Sequence, residues 1–245
     1  IKDKTIFIVS GRRTYADLFL KLSSEENLRS SILNFYDINA KVNHTFDEKN
    51  RLYISFYNGQ DKFANDFSKL FFGNTTTTIR WNHLFSEKLF FNLTNFNSIY
   101  NYNLGTPEGN ANAFEWKSKM VDYGGRGDFT YYLNPPNTIK FGVEGTYHIF
   151  DPGRAKGLGE EALFTEFVQP NSHALDWGIY VSNEQKIGEH IQLKYGLRYS
   201  IFQSMGSATV YNFDDNFNKI DSTVYKKGDI YNTYMGLEPR FGITY

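Results

Sequence analysis

Residues 36–56 read YDINAKVNHTFDEKNRLYISF, and this stretch decides the fold. Over residues 36–46 an apolar or aromatic side chain stands at every second position, with polar side chains between, which is the period of a β-strand with two unlike faces. The polar link at 47–50 reverses the chain, and the alternation resumes over 52–56. The pattern predicts a β-hairpin that is apolar on one face and polar on the other.

Composition favours strands and excludes several classes of protein. The 245 residues are 18% aromatic and include only 6 Pro and 3 Met, which suits β-structure. A net charge of −1 gives no basic field for nucleic acid, and the absence of Cys excludes disulfides and thiolate metal sites. No apolar run approaches the length of a transmembrane helix. Composition does not exclude a membrane β-barrel, because strands that alternate polar and apolar residues average to a polar hydropathy.

The same alternation recurs in ten strand-like segments, and the links between them follow an order. Links at about 15–29, 58–73, 103–112, 151–171 and 203–233 are long, whereas those at 47–50, 86–88, 134–137 and 188–189 are short. Strict alternation of long and short links puts all tight turns at one end of an antiparallel up-and-down sheet. That is the layout of an outer-membrane β-barrel. A change of parity in the fifth segment predicts a β-bulge at 94–97, and Pro239 predicts another in the tenth.

The polar face carries charges of both signs. Lys or Arg in hydrocarbon would cost about 2–4 kcal/mol each, so we assign the apolar face to lipid and the polar face to a lumen. Aromatic residues near strand ends suggest interfacial girdles: Phe46, Phe85, Tyr131, Trp177 and Tyr199. We expect any ligand contacts to come from the lumen-facing side chains: Arg80, Arg126, Asp128, Lys140, Glu144, His148, Arg198, Glu238 and Arg240.

Several pieces, in their order and spacing, resemble the barrel of TonB-dependent outer-membrane receptors, of the Bacteroidota type with a carboxypeptidase-regulatory-like amino-terminal extension. They are SGRRTY (10–15), FYDINAK (35–41), NRLYIS (50–55), RWNHLF (80–85), YGLRYS (195–200) and GLEPRF (236–241). The resemblance implies a ligand-gated nutrient transporter in the outer membrane. Its barrel has about 22 strands, so residues 1–245 are expected to form one partial all-β barrel domain of about ten strands.

The resemblance also implies the partners. Outer-membrane lipid surrounds such a wall, a plug domain and the rest of the barrel complete it, and TonB acts through segments that this chain lacks. It leaves room for a surface lipoprotein partner. We expect no cofactor, no metal, no nucleic acid and no catalytic residue, and the transported ligand is not predicted.

Two other functions stay open at this stage. A self-contained ten-stranded outer-membrane barrel could act as a protease-like enzyme, with Glu144 and His148 on one face near Asp151, or as an adhesin through Arg126-Gly127-Asp128. Pairing of the first strand with the tenth would favour it. A soluble β protein would require a second layer over the apolar face. Residues 214–218 hold oxygens suited to calcium but lack the Gly and the closing Glu of an EF-hand, which favours a solvated loop.

Overall fold

The computed structural model describes residues 4–109, 112–159 and 165–245. Ten strands form the main sheet: β1 (Thr5–Arg13), β2 (Ile32–Thr45), β3 (Asn50–Ala64), β4 (Lys69–Ser86), β5 (Leu89–Gly105), β6 (Phe114–Asn134), β7 (Asn137–Gly157), β9 (Ser172–Ile187), β10 (Ile191–Met205) and β13 (Ile230–Thr244). The shorter elements are α1 (Ala16–Leu20), α2 (Glu26–Arg29), β8 (Phe167–Val168), β11 (Ala208–Phe213) and β12 (Lys219–Tyr225). No helix in the described ranges is long and apolar enough to cross a membrane.

The main sheet is antiparallel throughout, and its strands follow chain order from β1 to β13. The short β8 pairs with β7, while β11 and β12 form a separate hairpin. The predicted up-and-down sheet of ten strands is therefore confirmed. Among the described residues β1 pairs only with β2 and β13 only with β10, so the first and last strands do not close the sheet on each other.

Tight turns and longer links lie at opposite ends of this sheet, which we call the turn end and the loop end. The links at the turn end are residues 46–49, 87–88, 135–136 and 188–190. One predicted long link is wrong, because β3 and β4 stay paired through most of residues 58–73 and only 65–68 connect them. Half of the residues in that segment are polar, which suits strands that continue beyond the apolar part of the sheet.

The links 106–113 and 158–171 are likewise shorter than predicted, because β5 and β7 run on to Gly105 and Gly157. Residues 110–111 and 160–164 of these links lie outside the described residues. The loop end still carries the longer connections, including 206–229, which holds the β11–β12 hairpin. The alternation therefore survives with the one exception of 65–68.

Both predicted bulges are wrong. The register of β5 with its neighbours is continuous through residues 94–97, and the change of parity arises because Phe96 lies on the polar face. A Cβ at Gly124, directly opposite, would lie 2.0 Å from the Phe96 ring, so this glycine makes room for the ring. Pro239 pairs in register with Leu197. Proline is tolerated there because β13 has a neighbour on one side only among the described strands.

The sheet is a single layer. Its apolar face stays open, with Ile38 and Ile79 each 45% exposed and Val143 52% exposed. The buried apolar residues of the described chain are few and mostly small: Ala64, Ala113, Ala155, Ala174 and Ile201. Neither short helix nor the β11–β12 hairpin pairs with the main sheet's apolar face. The second protein layer that a soluble sheet needs is absent from the described residues.

Aromatic rings form two rows across the apolar face. Near the turn end Phe91 and Phe129 have ring centroids 4.5 Å apart, and Phe129 stacks on Phe141 at 5.0 Å. Nearer the loop end Tyr147 stacks on His173, with 2.9 Å between its hydroxyl and Nδ1. Six residues separate Phe141 from Tyr147, or about 20 Å along the strand. Branched and apolar side chains fill the band between the rows.

Asp47 holds the turn between β2 and β3. Its carboxylate accepts hydrogen bonds from the side chain of Asn50 at 2.9 Å and from the backbone N–H groups of Lys49 and Asn50 at 2.8 Å each. The Asn50 side chain, followed by the Lys49 N–H, keeps the pKa of Asp47 below its ordinary value. This stabilisation is fully present above the unfolded-state pKa of about 3.9 and is lost as the pH falls through the lower folded-state pKa.

We therefore expect Asp47→Ala to lower the free energy of unfolding more at pH 7 than at about pH 2, because the stabilisation by the charged carboxylate is lost as the pH falls. Denaturant unfolding at the two pH values measures the difference. Glu48→Ala in the same turn is the matched control and should change neither value. An equal loss for Asp47→Ala at both pH values would contradict the role of the charged carboxylate.

Candidate functional site

A cluster of Arg126, Asp128 and Tyr180 lies on the polar face. Arg126 Nε donates to Asp128 Oδ1 at 2.6 Å, and Tyr180 donates its hydroxyl proton to the same oxygen. Arg126 Nη2 also donates to the Tyr180 hydroxyl at 3.5 Å, and its guanidinium lies 5.6 Å from the centre of the Tyr180 ring. Gly142 separates Asp128 from Tyr180 in the strand register, and its lack of a side chain lets the two meet.

Alternating charges extend this cluster from β6 to β13. Glu144 forms an ion pair with Arg198 and another with Arg126, the latter at 3.6 Å. Arg198 Nε also lies 3.8 Å from Glu238, and Arg240 pairs with Glu238 at 3.0 Å. The Arg198 side chain is only 19% exposed. The result is one chain of acids and bases on a single face, which we call the ion network.

Three further pairs lie beside the ion network. Lys140 donates to Glu184 at 2.8 Å, and Lys194 approaches the same carboxylate at 3.5 Å. On the loop-end side, His148 Nδ1 lies 2.8 Å from Asp122. Each pair joins side chains of adjacent strands that the register places directly opposite, apart from Lys140 and Glu184, which meet diagonally.

Of the nine predicted lumen residues, seven share ion pairs within the ion network or with the Glu184 pair: Arg126, Asp128, Lys140, Glu144, Arg198, Glu238 and Arg240. His148 pairs with Asp122 instead. Arg80 stands apart, since its Nε donates to Thr94 Oγ1 at 3.2 Å and its side chain is exposed. Three further residues of this face are not among the predicted ligand-contact residues: Asp122, Tyr180 and Glu184. Their even-numbered positions already assign them to the polar face in the sequence.

The geometry does not support the enzyme or the adhesin. Two arginines hold the Glu144 carboxylate, and His148 lies four positions along the strand, about 13 Å away. Arg126 and Asp128 of the adhesion tripeptide are bonded to each other in the middle of a strand. The described residues contain no group of three or more acidic or histidine side chains that could hold a metal ion.

Asp214 likewise serves its own loop. Its carboxylate accepts from the backbone N–H groups of Asn216 at 2.9 Å and Asn218 at 2.7 Å. The Asn218 side chain, the largest contributor, and these N–H groups lower the pKa of Asp214. The oxygens that suggested calcium therefore close a turn of the β11–β12 hairpin.

A groove of about 520 Å³ opens beside the ion network. Charged and hydroxyl side chains of five strands line it, among them Arg126, Glu144, Tyr180, Lys194, Arg198 and Arg240. Both signs of charge are present, and many donors and acceptors point to the same side. Such a surface can bind a polar protein segment or a hydrophilic solute by hydrogen bonds and ion pairs.

Gly142 gives a direct test of this packing. A Cβ there would lie 2.4 Å from the Gly127 carbonyl oxygen and 2.9 Å from the Tyr180 ring. We expect Gly142→Ala to cost about 1–3 kcal/mol by overpacking, measured by denaturant unfolding. Gly145→Ala in the same strand is the control, because its Cβ would make only an ordinary contact of 3.5 Å with Trp177. Equal losses in the two variants would show that packing against Tyr180 does not set the cost.

No family model and no curated protein matches the sequence. Solved structures do match the fold. The hemophore receptor HasR of Serratia marcescens, solved with its hemophore HasA and heme, has a TM-score of 0.65 at 13% identity over 98% of this chain and 38% of its own. The chain shares the antiparallel up-and-down sheet of part of this structure.

Two other receptor-barrel structures agree. The copper transporter OprC gives a TM-score of 0.63 at 12% identity, with 86% of this chain and 34% of its own covered. The ferric-catecholate import receptor Fiu of E. coli K12 gives 0.62 at 12% identity, with 98% and 44% covered. This chain thus spans 34–44% of the length of these structures. The fold confirms a partial up-and-down barrel, and the open strand order of the described residues gives no support to the self-contained ten-stranded barrel.

Proposed function

We propose that this chain is part of the barrel wall of an outer-membrane TonB-dependent receptor that takes up a nutrient with energy from an inner-membrane complex. One observation carries the proposal. A single-layer sheet of ten strands exposes an apolar face, whereas its ion network lies on the other face. If both faces met water, the apolar face would stay exposed to it. Lipid against the apolar face and a polar lumen against the ion network give each face a suitable environment.

The ion network is the proposed contact surface for a plug domain. Its groove offers acids and bases in alternation, and a plug with polar side chains can pair with either sign. The TonB contact belongs to segments other than those described. The receptor subtype with an amino-terminal extension rests on the sequence pieces quoted above. The ligand is not assigned, since the structures that share the fold are a copper transporter, a hemophore receptor solved with heme and a ferric-catecholate import receptor.

The β11–β12 hairpin is the proposed contact for a surface lipoprotein. It projects at the loop end and keeps apolar side chains open, with Phe217 88% exposed, Val224 73% and Ile220 68%. Exposed apolar side chains along a hairpin that pairs with nothing else in the described sheet need a partner to cover them. Deleting residues 211–224 should then remove co-purification of the lipoprotein and leave membrane insertion intact.

Nutrient uptake by intact cells tests the main proposal. Cells with and without the gene for the natural protein are compared for its presence in the outer-membrane fraction and for growth on limiting iron, heme and copper sources. We expect the protein in the outer membrane and growth on one of these sources that is lost when an uncoupler collapses the inner-membrane proton gradient. Recovery of the protein in the soluble fraction would contradict the proposal.

A further inference from the structure

Five basic side chains gather on the apolar-face side of the sheet, beyond the aromatic row at the loop end. We call this group the rim patch: Lys69, Lys117, Lys119, Arg154 and Lys156. None of them belongs to the ion network, which lies on the other face. The proposed function leaves this group without a role.

Strand register puts the five on one face. Lys117 and Lys119 share the parity of Val121 on β6, which faces the apolar side. A register shift between β6 and β7 places Asp151 opposite Lys119 and Arg154 opposite Lys117. Directly paired residues point to the same face, so the bulge turns even-numbered residues of β7 to the outside.

The same register completes the patch. Lys156 pairs with Glu115, and Glu115 pairs with Gly105, which pairs with Lys69. Without the bulge Arg154 and Lys156 would point toward the polar face. A bulge that redirects two cations is the kind of local irregularity that β-sheets use to aim side chains.

The position of the rim patch matches a membrane surface. Phe129 of the turn-end aromatic row and Lys119 stand ten residues apart on β6. At about 3.3 Å per residue and a strand tilt of about 40°, this separation is about 25 Å across the membrane. That is the height of the apolar band of an outer-membrane barrel. Lys119 therefore lies where lipid headgroups begin.

The rim patch is basic in balance and has a recess. Its acids are Glu115, which pairs with Lys117 at 2.7 Å, Glu166, which pairs with Arg154 at 3.1 Å, and Asp151. Lys119 forms no ion pair with any residue in the described ranges. A cavity of about 290 Å³ lies beside it. Its lining combines the cations Lys117 and Lys119 with one acid, Asp151, and with Phe71, Asn101, Tyr102, Asn103 and Ser118.

We propose that the rim patch binds the phosphate groups of a lipid headgroup in the outer leaflet. Lysine and arginine bind phosphate by charge-assisted hydrogen bonds, and the side-chain amide of Asn101 in the recess adds a donor. The inference rests on the membrane placement in the proposed function. The loop-end aromatic row lies next to the patch on the membrane side and would contact the acyl chains of the same lipid where they join the headgroup.

Binding of diphosphoryl lipid A tests the inference. The natural protein is incorporated into phosphatidylcholine vesicles that contain lipid A, re-extracted in mild detergent, and its bound lipid A is quantified. We expect the triple variant Lys117→Gln, Lys119→Gln, Arg154→Gln to bind lipid A at least about tenfold more weakly than the wild type. Lys49→Gln, Lys88→Gln, Lys186→Gln removes the same charge near the turn end and should bind as the wild type does.

The remaining outcomes are separable. If the wild type incorporates into vesicles but binds no lipid A, or if the two triple variants bind equally, the rim-patch inference is wrong. Displacement of lipid A by millimolar inorganic phosphate would also overturn it, because the patch would then be a free-phosphate site. If the rim triple variant fails to incorporate, Lys119→Gln alone replaces it and should still weaken binding several-fold. A wild type that does not incorporate contradicts the membrane placement instead.

Discussion

Val143→Arg is expected to destabilise the protein in a bilayer by about 2–4 kcal/mol. Val143 lies between the two aromatic rows and is 52% exposed on the apolar face. The proposed membrane placement puts it near the middle of the hydrocarbon, where a guanidinium loses its hydration and finds no partner. Unfolding of the protein in phospholipid vesicles by denaturant measures the loss.

Thr146→Arg is the matched control for this change. It introduces the same side chain three residues along β7 on the polar face, where Thr146 stands opposite Asp176. We expect less than about 0.5 kcal/mol of change, as for an ordinary surface substitution. Equal losses for the two variants would show that the apolar face does not meet lipid. A loss confined to Thr146→Arg would reverse the assignment of the faces.

Glu144→Gln is expected to cost about 1.5–3 kcal/mol, the range for hydrogen bonds to charged groups. Glu144 is the carboxylate that Arg126 and Arg198 share, and its side chain is 28% exposed, against 19% for Arg198. The amide keeps the shape but removes the charge, which leaves two neighbouring guanidinium groups to repel each other. Denaturant unfolding of the natural protein gives the difference in free energy.

Two comparisons separate this effect from a general loss of charge. Glu115→Gln breaks a pair with Lys117, whose side chain is 64% exposed, and should cost no more than about 1 kcal/mol. Combining Glu144→Gln with Arg198→Gln should cost less than the sum of the two single changes, because each removes the same interaction. Simple additivity of the two costs would show that the pair contributes nothing.

Much of the fold could be predicted from short stretches of sequence. Alternation over residues 36–46 predicts both a strand and its two faces, because the side-chain period of a strand is fixed by the backbone. The number of strands follows from repeating that test along the chain. Strand ends were less predictable, as residues 58–73 show, since polar side chains suit both a loop and a strand in water.

The candidate site was predicted only as a face. Arg126, Glu144 and Arg198 occupy even-numbered positions, which the sequence pattern assigns to the lumen-facing side of their strands. Their spacing in the chain contains no information about which acid meets which base. Tyr180 was missed because a tyrosine on the polar face is unremarkable until Gly142 lets it reach Asp128. Strand register, set by pairing across the sheet, makes these contacts.

The sequence by itself determined that this protein is an antiparallel sheet with an apolar face and a charged face, because that property depends on neighbouring residues alone. The tertiary structure decided the order of charges in the ion network and the exit of Arg154 and Lys156 to the outer face. Both depend on the register between strands, and one bulge exchanges the faces of every residue that follows it in the strand.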